Sequence, residues 1–316
     1  MAPYDYGRFV DLRPRPDIVF LGSPKEAAIV LEALIGDGIT PKVVLTNPPK
    51  RRGRGSEMTH TPVGDVANAN GISVIHTPSE LSGVDFELGV VVAYGHILRE
   101  EILSLGPFVN LHFSILPRWR GAAPVERAIL AFDKEIGVSL MAIGAALDEG
   151  AVFDVEKVPL CNTVRAQDVR ENLAELGAQM LTRHLILGGL SFSDPQDQFG
   201  EVTYASKLTT AERKLDFSSS ADLVDAYVRV GGAWTMLLQK RIQILASEVV
   251  ETPHGHDDPS SLQVGSFHTG LVSCGSGFLR LKRVQPQGRS PMSFDDWIRG
   301  LHLTQSEMVF DVDARV

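Results

Sequence analysis

Along its first half the chain alternates short runs of aliphatic and β-branched residues with longer segments whose apolar positions recur every three to four residues. Residues 17–21 (Asp-Ile-Val-Phe-Leu) form a continuous apolar run of the kind a buried parallel strand needs. Gly22-Ser23-Pro24 turns the chain, and 25–36 has helical spacing. Pro24 suits a first helical turn, where a missing N–H costs nothing. Further strands are predicted over 43–45, 72–75, 88–93, 109–112 and 138–143, and a long closing helix over 165–187. Strand–helix alternation of this kind predicts an α/β domain, a Rossmann-like doubly wound parallel sheet.

The texture changes after a polar stretch at 191–200. An amphipathic segment at 221–230 is followed by short strand-like runs at 241–245, 265–267, 271–273 and 279–284, separated by Gly, Pro and Asp clusters. That pattern predicts a small C-terminal β-barrel, OB-like in character. The expected organisation is a flexible N-terminal arm (1–16), a catalytic domain (17–190), a linker (191–209) and the barrel domain (210–316). The run 252–261 reads as a surface loop, with His254 and His256 solvated rather than metal-bound.

Composition narrows the function. The chain of 316 residues has 44% apolar and 22% charged residues, the balance of a soluble globular protein. No apolar run approaches the ~20 residues of a membrane span. The first 16 residues carry Asp5 and Asp11 and no apolar core, unlike a signal peptide. Cys161 and Cys274 lack metal-ligand spacing, which points away from a disulfide framework or a thiolate metal site and toward the reducing cytoplasm. The net charge of −9 by itself weighs against a nucleic-acid partner. Against that background, Pro49 to Gly55 (Pro-Lys-Arg-Arg-Gly-Arg-Gly) is a basic, glycine-rich loop suited to phosphate. Gly22-Ser23-Pro24 supplies one glycine where a dinucleotide fingerprint needs three, so a nicotinamide cofactor is not expected.

The densest chemistry lies in Asn110-Leu-His112-Phe-Ser114-Ile115-Leu116-Pro117-Arg118-Trp119-Arg120-Gly121-Ala-Ala-Pro124. Asn110 and His112 are two residues apart on a strand, so they project to one face. A strand-end histidine is often structural. The long specific loop behind it, at the carboxyl end of a strand where such sheets bind ligands, favours chemistry. An amide donor beside an imidazole suits reaction at a carbonyl.

Asn-x-His-x-Ser-Ile-Leu-Pro-x-Trp-Arg-Gly-Ala-Ala-Pro resembles the signature of the methionyl-tRNA formyltransferase family, in the superfamily that uses 10-formyltetrahydrofolate. The resemblance covers about residues 17 to 304. It includes Ile18 to Pro24, the basic loop 46–63, Ala93-Tyr94-Gly95-His96-Ile97-Leu98, Leu147-Asp148-Glu149-Gly150, Thr203-Tyr204-Ala205-Ser206-Lys207-Leu208, Gly232 to Thr235 and Cys274 to Gly277. It implies that Asn110, His112 and Asp148 are catalytic, and that no metal is needed. Asn110 and a protonated His112 would hold the oxyanion, with Asp148 as counter-ion and as the group that positions a water carrying the amine proton to the folate nitrogen. It implies a folate co-substrate held by Ser114, Ile115, Leu116 and Pro117 and by Tyr94, Gly95, His96, Ile97 and Leu98. It also implies that Lys50, Arg51, Arg52 and Arg54 meet the acceptor end of initiator methionyl-tRNA, with Lys207 and the Arg280, Lys282, Arg283 cluster as further candidates. The family's Asn-Pro-Trp-Pro-Gly before the Ala233-Trp234 pair is here Arg229-Val230-Gly231-Gly232, and residues 210–316 hold 11 Lys and Arg against 13 Asp and Glu. The rival is a formyltransferase for an amino-sugar nucleotide or other small amine. A monomer is expected.

Overall fold

The computed structural model describes residues 7–51, 58–144, 146–250, 263–268, 270–304 and 308–311. The chain forms two compact units: one of 1–127, 134–160 and 168–206, the other of 128–133, 161–167 and 207–316. Its strands in chain order are β1 (Ile18–Gly22), β2 (Val43–Leu45), β3 (Lys50–Arg51), β4 (Met58–Thr59), β5 (Ser73–Ile75), β6 (Leu88–Val92), β7 (Phe108–His112), β8 (Glu135–Ala142), β9 (Val152–Pro159), β10 (Trp234–Leu237), β11 (Lys240–Val250), β12 (Phe267–His268), β13 (Leu271–Ser273), β14 (Phe278–Pro286) and β15 (Met292–Ser293). The helices are α1 (Gly7–Val10), α2 (Lys25–Gly36), α3 (Pro62–Ala69), α4 (Glu100–Leu103), α5 (Pro124–Leu130), α6 (Ala166–Leu187), α7 (Ala221–Val230) and α8 (Phe294–Arg299).

In the first unit the sheet order is β5-β2-β1-β6-β7-β8-β9. The expected α/β sheet is present, with β5 through β7 parallel and β8 and β9 added antiparallel at one side. The strand order reverses at β1, which puts the crevice for a ligand at the carboxyl ends of β1, β6 and β7. β1 and β6 are buried at every position, as strands covered on both faces must be. Gly89 on β6 leaves room for Phe108 at the start of β7, since a Cβ there would lie 2.0 Å from the ring. Gly177 does the same for α6, where a Cβ would sit 3.2 Å from Leu111 and Val138. The close approach of α6 backs the strand that carries Asn110 and His112. Pro24 is the N-cap of α2, one residue earlier than expected.

The expected flexible arm is corrected for residues 7–16. Phe9 is fully buried, its ring 5.0 Å from Phe153 and 5.9 Å from Phe192, and Gly189 N–H donates to the Leu12 carbonyl at 2.7 Å. The buried ring and the backbone bonds together anchor the segment. The polar stretch after residue 190 is also bonded to the first unit: Gln196 and Val152 exchange backbone hydrogen bonds at 2.8 Å.

The second unit has the expected β-rich, antiparallel character, as a curled sheet in the order β10-β11-β14-β13-β12, with β15 on β14. It forms a half-barrel, with α7 and α8 against it. Its core includes Phe217, Ile242, Leu279, Phe294 and Phe310. Among the described residues no helix is long and apolar enough to cross a membrane. His254 and His256 lie outside the described residues.

Candidate active site

β7 ends in Asn110, Leu111 and His112, paired with Met141, Leu140 and Ser139 of β8. Ser139 is fully buried and organises the loop that follows. Its hydroxyl donates to the Ser114 carbonyl at 2.7 Å and accepts from Leu116 N–H at 3.2 Å. The Ser114 hydroxyl donates to the Arg118 carbonyl at 2.7 Å. The Leu116–Pro117 peptide is cis. Trp119 takes a left-handed φ of 61°, which turns its carbonyl toward the imidazole: His112 Nε2 donates to it at 2.9 Å.

Asp148 reaches the same point from the loop after β8. It holds φ 51°, in the left-handed region that aspartate enters more readily than most residues. Its Oδ2 lies 3.7 Å from His112 Nδ1 and accepts from Gly121 N–H at 2.8 Å. Gly121 is at φ 115°, and a Cβ there would press on the Ala205 carbonyl at 3.0 Å. At Gly150 a Cβ would overlap the Ala142 carbonyl at 1.8 Å, so only glycine lets the loop close on β8. Asn110 is half-buried, and its carboxamide has no partner among the described residues. The three candidate catalytic residues are thus brought to one strand end: a tethered carboxylate, an imidazole between two acceptors, and an amide open to a ligand.

Beneath them lies a bracket that sequence reasoning missed. Arg120, only 8% exposed, donates through Nε and Nη2 to Gln198 Oε1 at 3.0 and 2.7 Å, and its Nη1 pairs with Glu149 at 3.0 Å. Gln198 Nε2 donates in turn to the carbonyls of Asp148 and Gly150 at 2.8 and 2.9 Å. Thr203 ties the Trp-Arg segment, its hydroxyl accepting from Trp119 N–H at 2.8 Å. Arg120 stands in plain view within the Asn110–Pro124 motif. Nothing in the polar stretch around Gln198 marks that residue.

The candidate folate residues divide into two sets. Tyr94 and Leu98 are buried in the core with Val19, Leu45 and Phe108, and burial pushes the Tyr94 phenol up. Leu116 packs on Met141 and Val152, Pro117 is buried, and Ser114 has committed its hydroxyl to Arg118. Gly95, His96 and Ile97 are exposed and Ile115 is half-buried. His96 Nε2 donates to Asn47 Oδ1 at 2.8 Å, and Asn47 donates to the Ser23 hydroxyl at 2.9 Å. This joins the segment after β6 to the root of the basic loop, a link the sequence does not signal. Lys50 and Arg51 are exposed on the β3–β4 ribbon, while Arg52 and Arg54 lie outside the described residues. Lys207 is exposed. In the Arg280, Lys282, Arg283 cluster, Glu248 stands opposite Arg280 and pairs with Lys282 at 2.5 Å, and the hydrogen bond and charge of Lys282 hold the Glu248 carboxyl below its ordinary range.

Comparison with known proteins fits this architecture. Residues 17–185 match the formyl transferase family and 207–302 match the formyl transferase C-terminal domain. The chain belongs to the formyltransferase family. It is 34% identical to the methionyl-tRNA formyltransferase of Corynebacterium diphtheriae over 91% of this chain and 98% of that one. It is 37% identical to the methionyl-tRNA formyltransferase of Cereibacter sphaeroides, over 92% and 98% of the two chains. Among solved structures, the fold is shared with an N-formyltransferase from Helicobacter canadensis in complex with folinic acid and dTDP-3-aminofucose, at 18% identity, TM-score 0.64 and 85% and 99% coverage. It is also shared with the methionyl-tRNA formyltransferase of Clostridium thermocellum, at 16% identity, TM-score 0.56 and 74% and 93% coverage.

Proposed function

We propose that this formyltransferase moves the formyl group of 10-formyltetrahydrofolate to the α-amine of methionine on initiator tRNA, yielding formylmethionyl-tRNA for translation initiation. The observation that carries the reading is the convergence of Asn110, His112 and Asp148 at the end of β7, in a chain matched along nine-tenths of its length by methionyl-tRNA formyltransferases.

The amine nitrogen attacks the formyl carbon, a C–N bond forms, and negative charge moves to the former carbonyl oxygen. Asn110, with its amide uncommitted, donates to that oxyanion. His112 has Nε2 committed to Trp119, so Nδ1 is the nitrogen left to donate, with Asp148 as the counter-charge. The amine then loses its proton to Asp148, directly or through one water. The bond from the formyl carbon to folate N10 breaks, and N10 takes that proton. Atoms and charge balance without a covalent intermediate on the protein.

The folate ring lies along the exposed Gly95–Ile97 segment and the backbone of the Ser114–Pro117 loop. The buried side chains of Tyr94, Leu98 and Leu116 support that pocket from behind. Lys50, Arg51, Arg52 and Arg54 meet the acceptor stem, Lys207 adds a phosphate contact, and the half-barrel domain holds the rest of the tRNA. The chain works as a monomer in the cytoplasm. Formyl transfer from 10-formyltetrahydrofolate to charged initiator tRNA, elongator methionyl-tRNA and an amino-sugar nucleotide, assayed side by side, tests the reading. Fast formylation of the initiator alone is the expected result. Transfer confined to the sugar amine would overturn the acceptor and leave the chemistry in place.

A further inference from the structure

The outer face of the half-barrel holds a site unlike the rest of this acidic chain. Trp234 on β10 stands opposite Gln243 on β11, and Gln243 stands opposite Gln285 on β14. On the same face, the Arg241 guanidinium lies over the Trp234 ring, 4.3 Å from its centroid. Beside this row is a hollow of about 430 Å³ lined by Arg213, Arg241, Gln243, Gln285 and Gln287 among others, with no carboxylate in its lining among the described residues. The hollow is shaped by the chain. Arg213 donates to the Gly231 carbonyl, Gly232 sits at φ 73°, and a Cβ there would come within 3.1 Å of Arg213 Cδ. Trp234 is fixed in turn: its indole N–H donates to the Thr210 carbonyl at 2.8 Å.

We infer that this face is an RNA-backbone site, with a phosphate in the hollow between Arg213 and Arg241 and a nucleobase on the Trp234–Arg241 stack. A lining of guanidinium and carboxamide groups, without carboxylates among the described residues, offers donors at every side, as a phosphodiester requires. An aromatic ring flanked by an arginine is a stacking platform for a base of any identity. The stretch of the same sheet that carries Arg280 and Lys282 lacks this property, because Glu248 faces both. The second unit can therefore hold RNA through one local site despite its excess of acidic residues. The inference rests on the reading of tRNA as the acceptor, and it places the RNA contact of this unit on β10–β11 and the adjoining segment 210–214.

The test is equilibrium binding of initiator tRNA to the full chain across a series of salt concentrations. Removing one phosphate-binding cation lowers the slope of log K against log salt by about 0.7–0.9. That corresponds to about five- to eightfold weaker binding near 0.1 M salt. Arg241→Gln should show this drop, and Arg213→Gln with Arg241→Gln about twice the change in slope. Arg241→Lys, which keeps the charge, should retain the slope. Trp234→Ala should weaken binding by at least about fivefold with little change in slope, and Trp234→Phe should restore it. Arg241 projects from a hairpin, so its variant tests the site even where Arg213→Gln disturbs the fold. An unchanged slope and affinity in Arg241→Gln overturns the inference. Formyl transfer by the unaltered chain to the same tRNA is read separately and judges the proposed function on its own.

Discussion

Replacing Gln198 by alanine should slow formyl transfer without weakening the binding of either substrate. The carboxamide accepts twice from Arg120 and donates to the Asp148 and Gly150 carbonyls, at 2.7 to 3.0 Å. Its loss leaves a guanidinium that is 8% exposed with Glu149 as its remaining side-chain partner, and frees two carbonyls of the Asp148 loop. Net hydrogen bonds are worth about 1 kcal/mol each, more at charged groups, and a shared network falls short of their sum. About 2 kcal/mol is a fair expectation for the bracket as a whole. With the Asp148 and Gly150 carbonyls untethered, the loop is free to shift the carboxylate away from His112. Expressed in the barrier, about 2 kcal/mol is about a 30-fold loss in kcat. Steady-state formyl transfer, with KM for folate and for tRNA determined separately, reads it: kcat falls and both KM values stay within about twofold. Gln198→Glu keeps the acceptor for Arg120 but loses the donor to both carbonyls, so it should fall between the two. A kcat within about threefold of the unaltered enzyme, or a loss matched by the unfolded fraction, refutes the bracket.

Three further outcomes are expected. Asn110→Ala should cost about a hundredfold or more in kcat with an unchanged Tm, since the carboxamide has no partner among the described residues to lose; unchanged turnover would remove it from the oxyanion site. Phe9→Ala should destabilise the protein by about 3–4 kcal/mol in urea unfolding, because the ring is fully buried between Phe153 and Phe192; a loss below about 1 kcal/mol would mean the N-terminal segment adds nothing to the fold. Burial pushes the Cys274 thiol up to about 12, so near neutral pH it stays protonated and inert while exposed Cys161 reacts. Native thiol titration should find one fast group and denaturation a second, and two fast groups in the native state would contradict the burial.

Much of the first domain is legible because its strands are buried on both faces. A run such as Ile18–Gly22 is apolar throughout, and the segments between such runs carry helical spacing. The same logic explains what is not legible. Glu135–Ala142 is apolar and buried over most of its length and is read from sequence as 138–143, but its antiparallel partner Val152–Pro159 is not, because Asp154, Glu156 and Lys157 interrupt its apolar residues. Trp234–Leu237 escapes notice because Gly231 and Gly232 precede it and Leu238 and Gln239 turn after it with positive φ, so the strand is short and framed by turns. At the site, Asn110 and His112 are readable from spacing within one strand, where local geometry decides. Asp148 is reached only through resemblance, since no local rule links residue 148 to residue 112. Gln198 is unreadable for a deeper reason: its role is set by Arg120 and by two backbone carbonyls, and backbone acceptors leave no trace in composition.

That a neutral group occupies position 198 follows from the electrostatics of the site. Arg120 is adjacent in sequence to Gly121, whose N–H binds the Asp148 carboxylate, so a guanidinium could readily reach that carboxylate. A direct pair would neutralise the charge that faces His112, and that the proposed mechanism uses to receive a proton, and would aim the carboxylate away from the imidazole. Instead the three guanidinium nitrogens point to Glu149 and to Gln198. Gln198 passes the hold to the main chain of Asp148, which fixes the position of the residue without touching its charge. A lysine or arginine at 198 would place a second cation against Arg120, and an apolar residue would leave it short of an acceptor. An amide accepts on one side and donates on the other, which is what a bracket between a cation and two carbonyls needs. The carboxylate is thereby left with one backbone N–H and the imidazole as its partners, the state in which the proposed mechanism has it take the proton of the amine.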